Sequence, residues 1–480
     1  MSSIKKNISY NMLYQVIILL IPLITAPYLS RTLGKDGIGI YTYTNSIAYY
    51  FVLISMLGLT NYGNRLVAQT RDDKVKLSKT FSEIYTMQIA ISIFSLICFC
   101  GLIFIMSEKY RNIYLIQFMY VSSALFDVSW FFYGIEQFKK VLIRNAVLRV
   151  IMLIGIFIFV KNENDVWKYT FIMAFGTLIS QIYLWFGLKK EVKYTFPNLK
   201  KVIVHLKPNI ILFIPVVAVS LYRTMDKVML GALSTMNETG LYENANKIAT
   251  IPLSLIVAIG TVMMPKMSNL FVKGEKNKIL IYLRDSMQLI SALAFAMCFG
   301  MAAISERFAP LYFGKEFTEC GKLILYLSII IIFGSLASVM RMQYLIPKGK
   351  DTSYIISVIC GAIVNLIINF TLIRNYGAMG AVIGTISAEF VVFLIQCIAS
   401  SKELPFSQYI RDMLPFLVSG VIMYLALKKL EFSMPNSLLG IGIEVIVGVV
   451  IYSIISIIIM IIFNKKRLKY FWNFIFKKII

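Results

Sequence analysis

Ionisable residues standing inside apolar runs, or at their edges, set the chemistry this chain can offer: Arg31, Asp127, Arg149, Arg223, Asp226, Lys227, Glu243, Lys247, Arg341 and Glu389. A charge in hydrocarbon is costly and normally faces a polar cavity or a partner. Cations predominate. Arg223, Lys227, Lys247, Arg341, Arg31 and Arg149 together would suit an anionic headgroup such as a pyrophosphate, since a guanidinium presents a planar fork of donors. A second reading is internal pairing. Lys227 follows Arg223 by four residues, and Glu243 with Lys247 makes an i, i+4 pair on one helical face that would lower the cost of burial. Arg31 and Arg341 would also reach a membrane interface by extending their stems. The acids Asp127, Asp226, Glu243 and Glu389 are the candidates for carrying a coupling ion, H⁺ or Na⁺.

Other chemistries find no support. His205 is the single histidine, which argues against a zinc site, a Ser/His/Asp triad or a histidine relay; it is expected in a loop, without a role. The cysteines (Cys98, Cys100, Cys298, Cys320, Cys360, Cys397) form no CxxC pair and read as small core residues, so no metal or other cofactor is expected. Each Gly-Lys pair (at Lys35, Lys315, Lys322 and Lys350) is followed by Asp, Glu or Leu, so no P-loop is present.

The elements that must hold these residues are membrane helices. With 58% hydrophobic residues, 15% charged residues and a mean hydropathy of +0.75, a water-soluble fold has too little polar surface, and runs of about 20 apolar residues recur along the chain. A β-barrel would show short alternating segments instead. The expected fold is all-α and polytopic with about 14 spans. The first three lie near residues 8–29, 38–60 and 81–106, the seventh and eighth near 208–230 and 241–264, and the last near 438–463. Lys5 and Lys6 precede the first run, which is long and lacks a cleavage site, so it reads as a retained span.

The formal charge of +24 sits in short loops and not on one face, which argues against nucleic acid. With the N-terminus inside, about 31 Lys and Arg fall in cytoplasmic segments and about 11 in outer loops. Both termini are then cytoplasmic, and Lys189, Lys190, Lys193, Lys200, Lys201, Lys207, Lys465, Lys466, Arg467 and Lys469 meet the inner leaflet and its membrane lipids. Outer loops of at most about 20 residues leave little room for an extramembrane catalytic domain, so no enzymatic activity is expected.

The halves resemble each other. Gly39-Ile40-Tyr41-Thr42-Tyr43-Thr44-Asn45-Ser46-Ile47-Ala48 aligns with Gly240-Leu241-Tyr242-Glu243-Asn244-Ala245-Asn246-Lys247-Ile248-Ala249, and Leu29 to Leu33 echoes Leu221 to Met225. An even number of spans separates the copies, so both run the same way through the membrane, as a parallel repeat. The expected organisation is an N-terminal lobe over 1–207, a C-terminal lobe over 208–411, each of six helices, and two further spans with a basic tail over 412–480. Substrate sites in such proteins lie near midplane between the repeats. Pro22, Pro27, Pro215 and Pro252 would bend the spans that contain the repeat.

Tyr28 to Tyr41, the segment from Gly58-Leu59 through Tyr62-Gly63-Asn64-Arg65, and Asp226-Lys227-Val228-Met229-Leu230-Gly231 followed by Gly240-Leu241-Tyr242 resemble the Wzx-type polysaccharide-repeat-unit flippases of the MATE/flippase (MOP) superfamily, across essentially the whole chain. The resemblance implies alternating-access transport of undecaprenyl-pyrophosphate-linked oligosaccharide from the inner to the outer leaflet of the bacterial cell membrane. The product would feed capsule, O-antigen or exopolysaccharide synthesis, near glycosyltransferases and a polysaccharide polymerase. It also implies that spans one, two, seven and eight line the cavity, and that spans thirteen and fourteen form a groove for the lipid tail, an idea that Glu444 in span fourteen fits poorly. Lipid II flippases and MATE-type drug or cation exporters share the fold, although an exporter's cavity should be acidic and aromatic. A membrane-embedded sugar polymerase is a more distant alternative.

Overall fold

The computed structural model describes residues 2–106, 108–431 and 435–474, with side chains described from 20 to 462 except at 107, 222, 259, 261 and 432–434. The side chains of Lys5, Lys6, Lys465, Lys466, Arg467 and Lys469 therefore lie outside the described residues. The described residues are helical, with no strand among them. The chain forms two compact units, one up to Gly240 and one from Leu241 onward.

The first unit contains α1 (Ser2–Met56), α2 (Leu59–Thr70), α3 (Lys74–Ile105), α4 (Glu108–Ser123), α5 (Ser129–Gly134), α6 (Phe138–Phe159), α7 (Val166–Leu188), α8 (Leu199–Val204) and α9 (Leu206–Leu233). α10 (Met236–Val272) begins in it and continues into the second unit, which adds α11 (Lys276–Phe313), α12 (Thr318–Leu327), α13 (Ile329–Met340), α14 (Asp351–Ser400), α15 (Phe406–Leu430) and α16 (Leu438–Phe474). Among the described residues, eleven helices are long and apolar enough to cross a membrane. Two of the long helical stretches are broken by glycine: α1 at Gly34 (φ 65°) and α14 at Gly377 (φ 53°). Left-handed backbone costs an L-residue about 1 kcal/mol and a glycine almost nothing. Both breaks fall where the hydropathy pattern expects a loop between consecutive spans.

Helix faces are sorted as a bilayer requires. On α3, Ile93, Phe94, Ile97 and Phe104 point outward, while Ser82, Gln88, Ser92 and Ser95 are buried. Apolar side chains cost nothing against lipid tails, whereas polar groups must find partners inside the protein. Gln88 shows how. Its amide donates to the carbonyls of Ala124 (2.7 Å) and Asp127 (2.9 Å), and its Oε1 accepts from the Trp130 indole (3.0 Å). These bonds satisfy backbone released where α4 gives way to α5. Around them Phe81, Tyr85, Trp130 and Phe131 pack as a buried aromatic cluster.

The repeated glycines meet. A Cβ on Gly39 would come within 1.8 Å of the Met236 carbonyl oxygen, and one on Gly240 within 2.0 Å of the Lys35 carbonyl oxygen. The two equivalent glycines thus serve one close approach from opposite sides.

In the second unit, α15 and α16 pack on α11 through Phe295, Phe416, Met423 and Tyr452. Tyr452 donates to the Ala292 carbonyl (2.7 Å). Arg307 on α11 pairs with Glu444 on α16 and also donates to the Pro435 carbonyl (2.7 Å). Glu444 therefore faces α11 in an ion pair, which resolves its awkward place in an apolar span.

Candidate functional site

α9 gathers the largest group of predicted site residues. Pro215 lacks an N–H and leaves the Ile211 carbonyl without its helical donor. One and two turns further on, Val219, Ser220, Arg223 and Thr224 line a cavity of about 380 Å³ whose wall is completed by Tyr49 of α1. Arg223 is exposed, and among the described residues no hydrogen bond or ion pair holds its guanidinium. Asp226, 2% exposed, lies one turn along. Tyr49 and Tyr50 lie ring to ring at 6.2 Å, and the buried Tyr50 hydroxyl has no partner among the described residues. An open cationic fork, two hydroxyl-bearing side chains and the Tyr49 ring around one cavity can take an anionic, hydroxylated ligand.

The remaining candidates divide. Lys227 is half-buried on the same helix. On α10, Lys247 pairs with Glu243 at 3.2 Å, so the internal pair expected from their spacing forms. Arg341 starts a π-helical turn, Arg341–Leu345, in which its guanidinium lies 5.5 Å over the Tyr354 ring. The Arg341 Nε is buried without a hydrogen-bond partner among the described residues, and so are both amide atoms of Gln343, two residues on. Such widened turns cluster at functional places in helices. Arg31 is exposed, Arg149 half-buried on α6 and Glu389 half-buried on α14. The Asp127 carboxylate accepts the Ser129 backbone N–H at 2.9 Å, just before α5.

Several polar residues escaped the sequence reading. Tyr49 and Tyr50 directly follow the first copy of the repeat, which was a usable signal. Arg144 is the buried arginine of α6: it donates to the Ser180 carbonyl and to Gln181, each at 2.9 Å. His205 is the single turn residue between α8 and α9, as expected outside the spans, but both its ring nitrogens are engaged.

Helices of membrane-spanning length with polar residues turned inward define a multi-pass membrane protein. The chain belongs to the Polysaccharide biosynthesis protein family, which matches residues 4–271. It is 27% identical over 396 residues to a protein of Shigella dysenteriae named for O-antigen transport, covering 81% of this chain and 98% of that protein. A similarly named protein of Escherichia coli K12 is 22% identical over 401 residues, 81% of this chain and 95% of its own. The fold matches the lipid II flippase MurJ in an inward closed conformation, with a TM-score of 0.80 at 15% identity, over 94% of this chain and 99% of that one.

Proposed function

We propose that the protein is a flippase that carries undecaprenyl-pyrophosphate-linked oligosaccharide repeat units from the inner to the outer leaflet of the bacterial cell membrane by alternating access. The single observation that carries this reading is the open Arg223 guanidinium in a cavity shared with Tyr49, Ser220 and Thr224. A pyrophosphate needs a cationic fork, and sugar hydroxyls pair with hydroxyls and stack on aromatic faces. Family membership and the full-length relatives named for O-antigen transport support the same reading. Both termini would be cytoplasmic by the distribution of Lys and Arg. Glycosyltransferases and a polysaccharide polymerase are the partners such a carrier needs on its two sides. Transport would draw on an ion gradient, with Asp226, Glu243 or Glu389 among the carboxylates able to take part.

The alternative of lipid II as cargo shares the pyrophosphate and differs in the sugar. A drug or cation exporter is disfavoured by the basic character of the α9 cavity. The test is vesicles loaded with each lipid-linked substrate in the inner leaflet, with appearance of headgroup at the outer leaflet as readout. Oligosaccharide carriage with no lipid II carriage supports the proposal; lipid II carriage alone replaces it.

A further inference from the structure

We propose that a cavity between the first turns of α4 and α7 is a sugar-binding site, separate from the α9 cavity, that holds the oligosaccharide after its arrival in the outer leaflet. The cavity lies in the first unit and measures about 580 Å³, inside the range of about 300–1,000 Å³ usual for small-ligand sites. α4 supplies Lys109, Tyr110 and Asn112, the turn before α7 supplies Asn164, and α7 supplies Trp167. Ile40 of α1 closes the wall.

The lining selects the ligand. Among the described residues no carboxylate lines the cavity, so a cation finds nothing to pair with. Neighbouring acids are already taken: Glu108 by Arg111 at 3.3 Å and Asp165 by Lys168 at 2.7 Å. Asn112 and Asn164 are exposed, and neither side-chain amide is hydrogen-bonded among the described residues. Each amide offers two donors and an acceptor, a set that matches adjacent sugar hydroxyls. Trp167, 51% exposed, and Tyr110 add rings with an apolar face and a polar tip. A sugar ring is built the same way, with a C–H face and a hydroxyl rim. A phosphate would be served by Lys109 alone, whose ammonium lies 5.3 Å from the Tyr110 ring centroid and is a point charge without the planar fork of an arginine.

The walls are held in place before any ligand arrives. The Asn162 side chain accepts the Asn164 backbone N–H at 3.1 Å, and the Asp165 carboxylate accepts the backbone N–H of Lys161 (2.8 Å) and of Asn162 (3.2 Å). Tyr41 of α1 and Tyr169 of α7 lie ring to ring at 4.4 Å, and a Cβ on Gly37 would come within 2.9 Å of the Val166 side chain. The turn that carries Asn164 and the helix start that carries Trp167 are thus tied to α1. A site ordered in advance binds with less entropic loss than one that must form around its ligand.

The basic segments lie at the far ends of the same helices: Lys74, Lys76 and Lys79 at the start of α3, and Lys189 and Lys190 just past α7. The cavity stands where α3 ends and α4 and α7 begin, which the distribution of Lys and Arg makes the outer end. α1 gives Ile40 to this cavity and Tyr49 to the α9 cavity. These residues are about two and a half helical turns apart and leave α1 on opposite sides, so sugar held here does not block the α9 cavity. The arrival of cargo at this end rests on the flippase reading; the capacity to bind sugar does not.

The experiment uses the whole protein in phosphatidylcholine nanodiscs. The probe is the oligosaccharide released by mild acid from the lipid-linked intermediates of the source cells, and saturation transfer from protein to sugar hydrogens reads its binding. Native protein and Arg223→Ala, which disables the α9 cavity, should bind alike. Trp167→Ala and Asn112→Ala, both at exposed positions, should keep the native unfolding midpoint and each bind roughly tenfold more weakly. No transfer to the sugar with the native protein, or undiminished binding by both variants, overturns the site. Short-chain phosphatidylglycerol that displaces the sugar from the native protein but not from Lys109→Gln makes this a phospholipid headgroup site and overturns the proposal. In vesicles, a photoreactive group at Leu115, which also lines the cavity, should capture lipid-linked oligosaccharide placed in the outer leaflet. No capture there, with the lipid-free sugar still binding, overturns the assignment of cargo to the site. A protein that binds the sugar but delivers no oligosaccharide to the outer leaflet overturns the flippase reading instead.

Discussion

At the residue scale, the cations differ in what holds them, and their substitutions should differ accordingly. Arg223 has no ion pair to lose among the described residues, so Arg223→Ala should leave the folded protein intact while weakening headgroup binding. Loss of a charged hydrogen bond of about 1.5–3 kcal/mol corresponds to roughly ten- to a hundredfold, and titration with labelled substrate at fixed protein would check it. Arg307 and Glu444 are the opposite case. Their pair is buried, so Glu444→Ala strands a charge and should cost about 3–5 kcal/mol, whereas Arg307→Met with Glu444→Leu should recover most of that loss. Denaturant unfolding in detergent distinguishes the single from the double variant. Glu191, between α7 and α8, gives a pH signature. Burial by itself would raise its carboxyl, but hydrogen bonds from Gln137 (2.9 Å) and Lys140 (3.2 Å) hold it below the usual carboxylate range. A depressed carboxyl contributes stability that is present above its unfolded value and lost as pH falls through its folded value. Lys140→Ala should therefore be less stable than the native protein at pH 7, with the gap closing below about pH 4.

At the scale of elements, small residues set how helices meet. A side chain on Gly240 would overlap the Lys35 carbonyl, so Gly240→Ala forces the α1 and α10 backbones apart and should cost about 1–3 kcal/mol. Gly101, with nothing within 4 Å of its Cβ position, is the control that should tolerate alanine. The helices themselves were legible in the sequence because length and hydropathy decide which segments cross a bilayer: the last span, expected near 438–463, opens with α16 at Leu438. Gly39 and Gly240, which align in the sequence, are both held to glycine by a close backbone approach. Tertiary partnership was not legible. Nothing along the chain distinguishes Arg144, held by α7, from Lys139 and Lys140 before it in α6, nor ties Glu444 to an arginine 137 residues away. His205 was passed over because its partners lie 143 and 122 residues away in sequence.

At the scale of the whole molecule, a membrane protein of this family with a cationic, tyrosine-walled cavity on α9 has one task that unites those features, which is to pass a charged and sugared headgroup through a region that otherwise excludes it. Hydrocarbon rejects a pyrophosphate far more strongly than any single contact attracts it, so transport requires a polar surface that travels with, or is exposed in turn to, each leaflet. The most direct measurement follows from that. Undecaprenyl-pyrophosphate-linked oligosaccharide is placed in the inner leaflet of vesicles containing the native protein, Arg223→Ala or Lys247→Ala, and its arrival at the outer leaflet is followed with an impermeant sugar-binding probe. The account predicts arrival with the native protein and its loss with Arg223→Ala, the variant still being folded. No arrival with the folded native protein, or undiminished arrival with both variants, would contradict it.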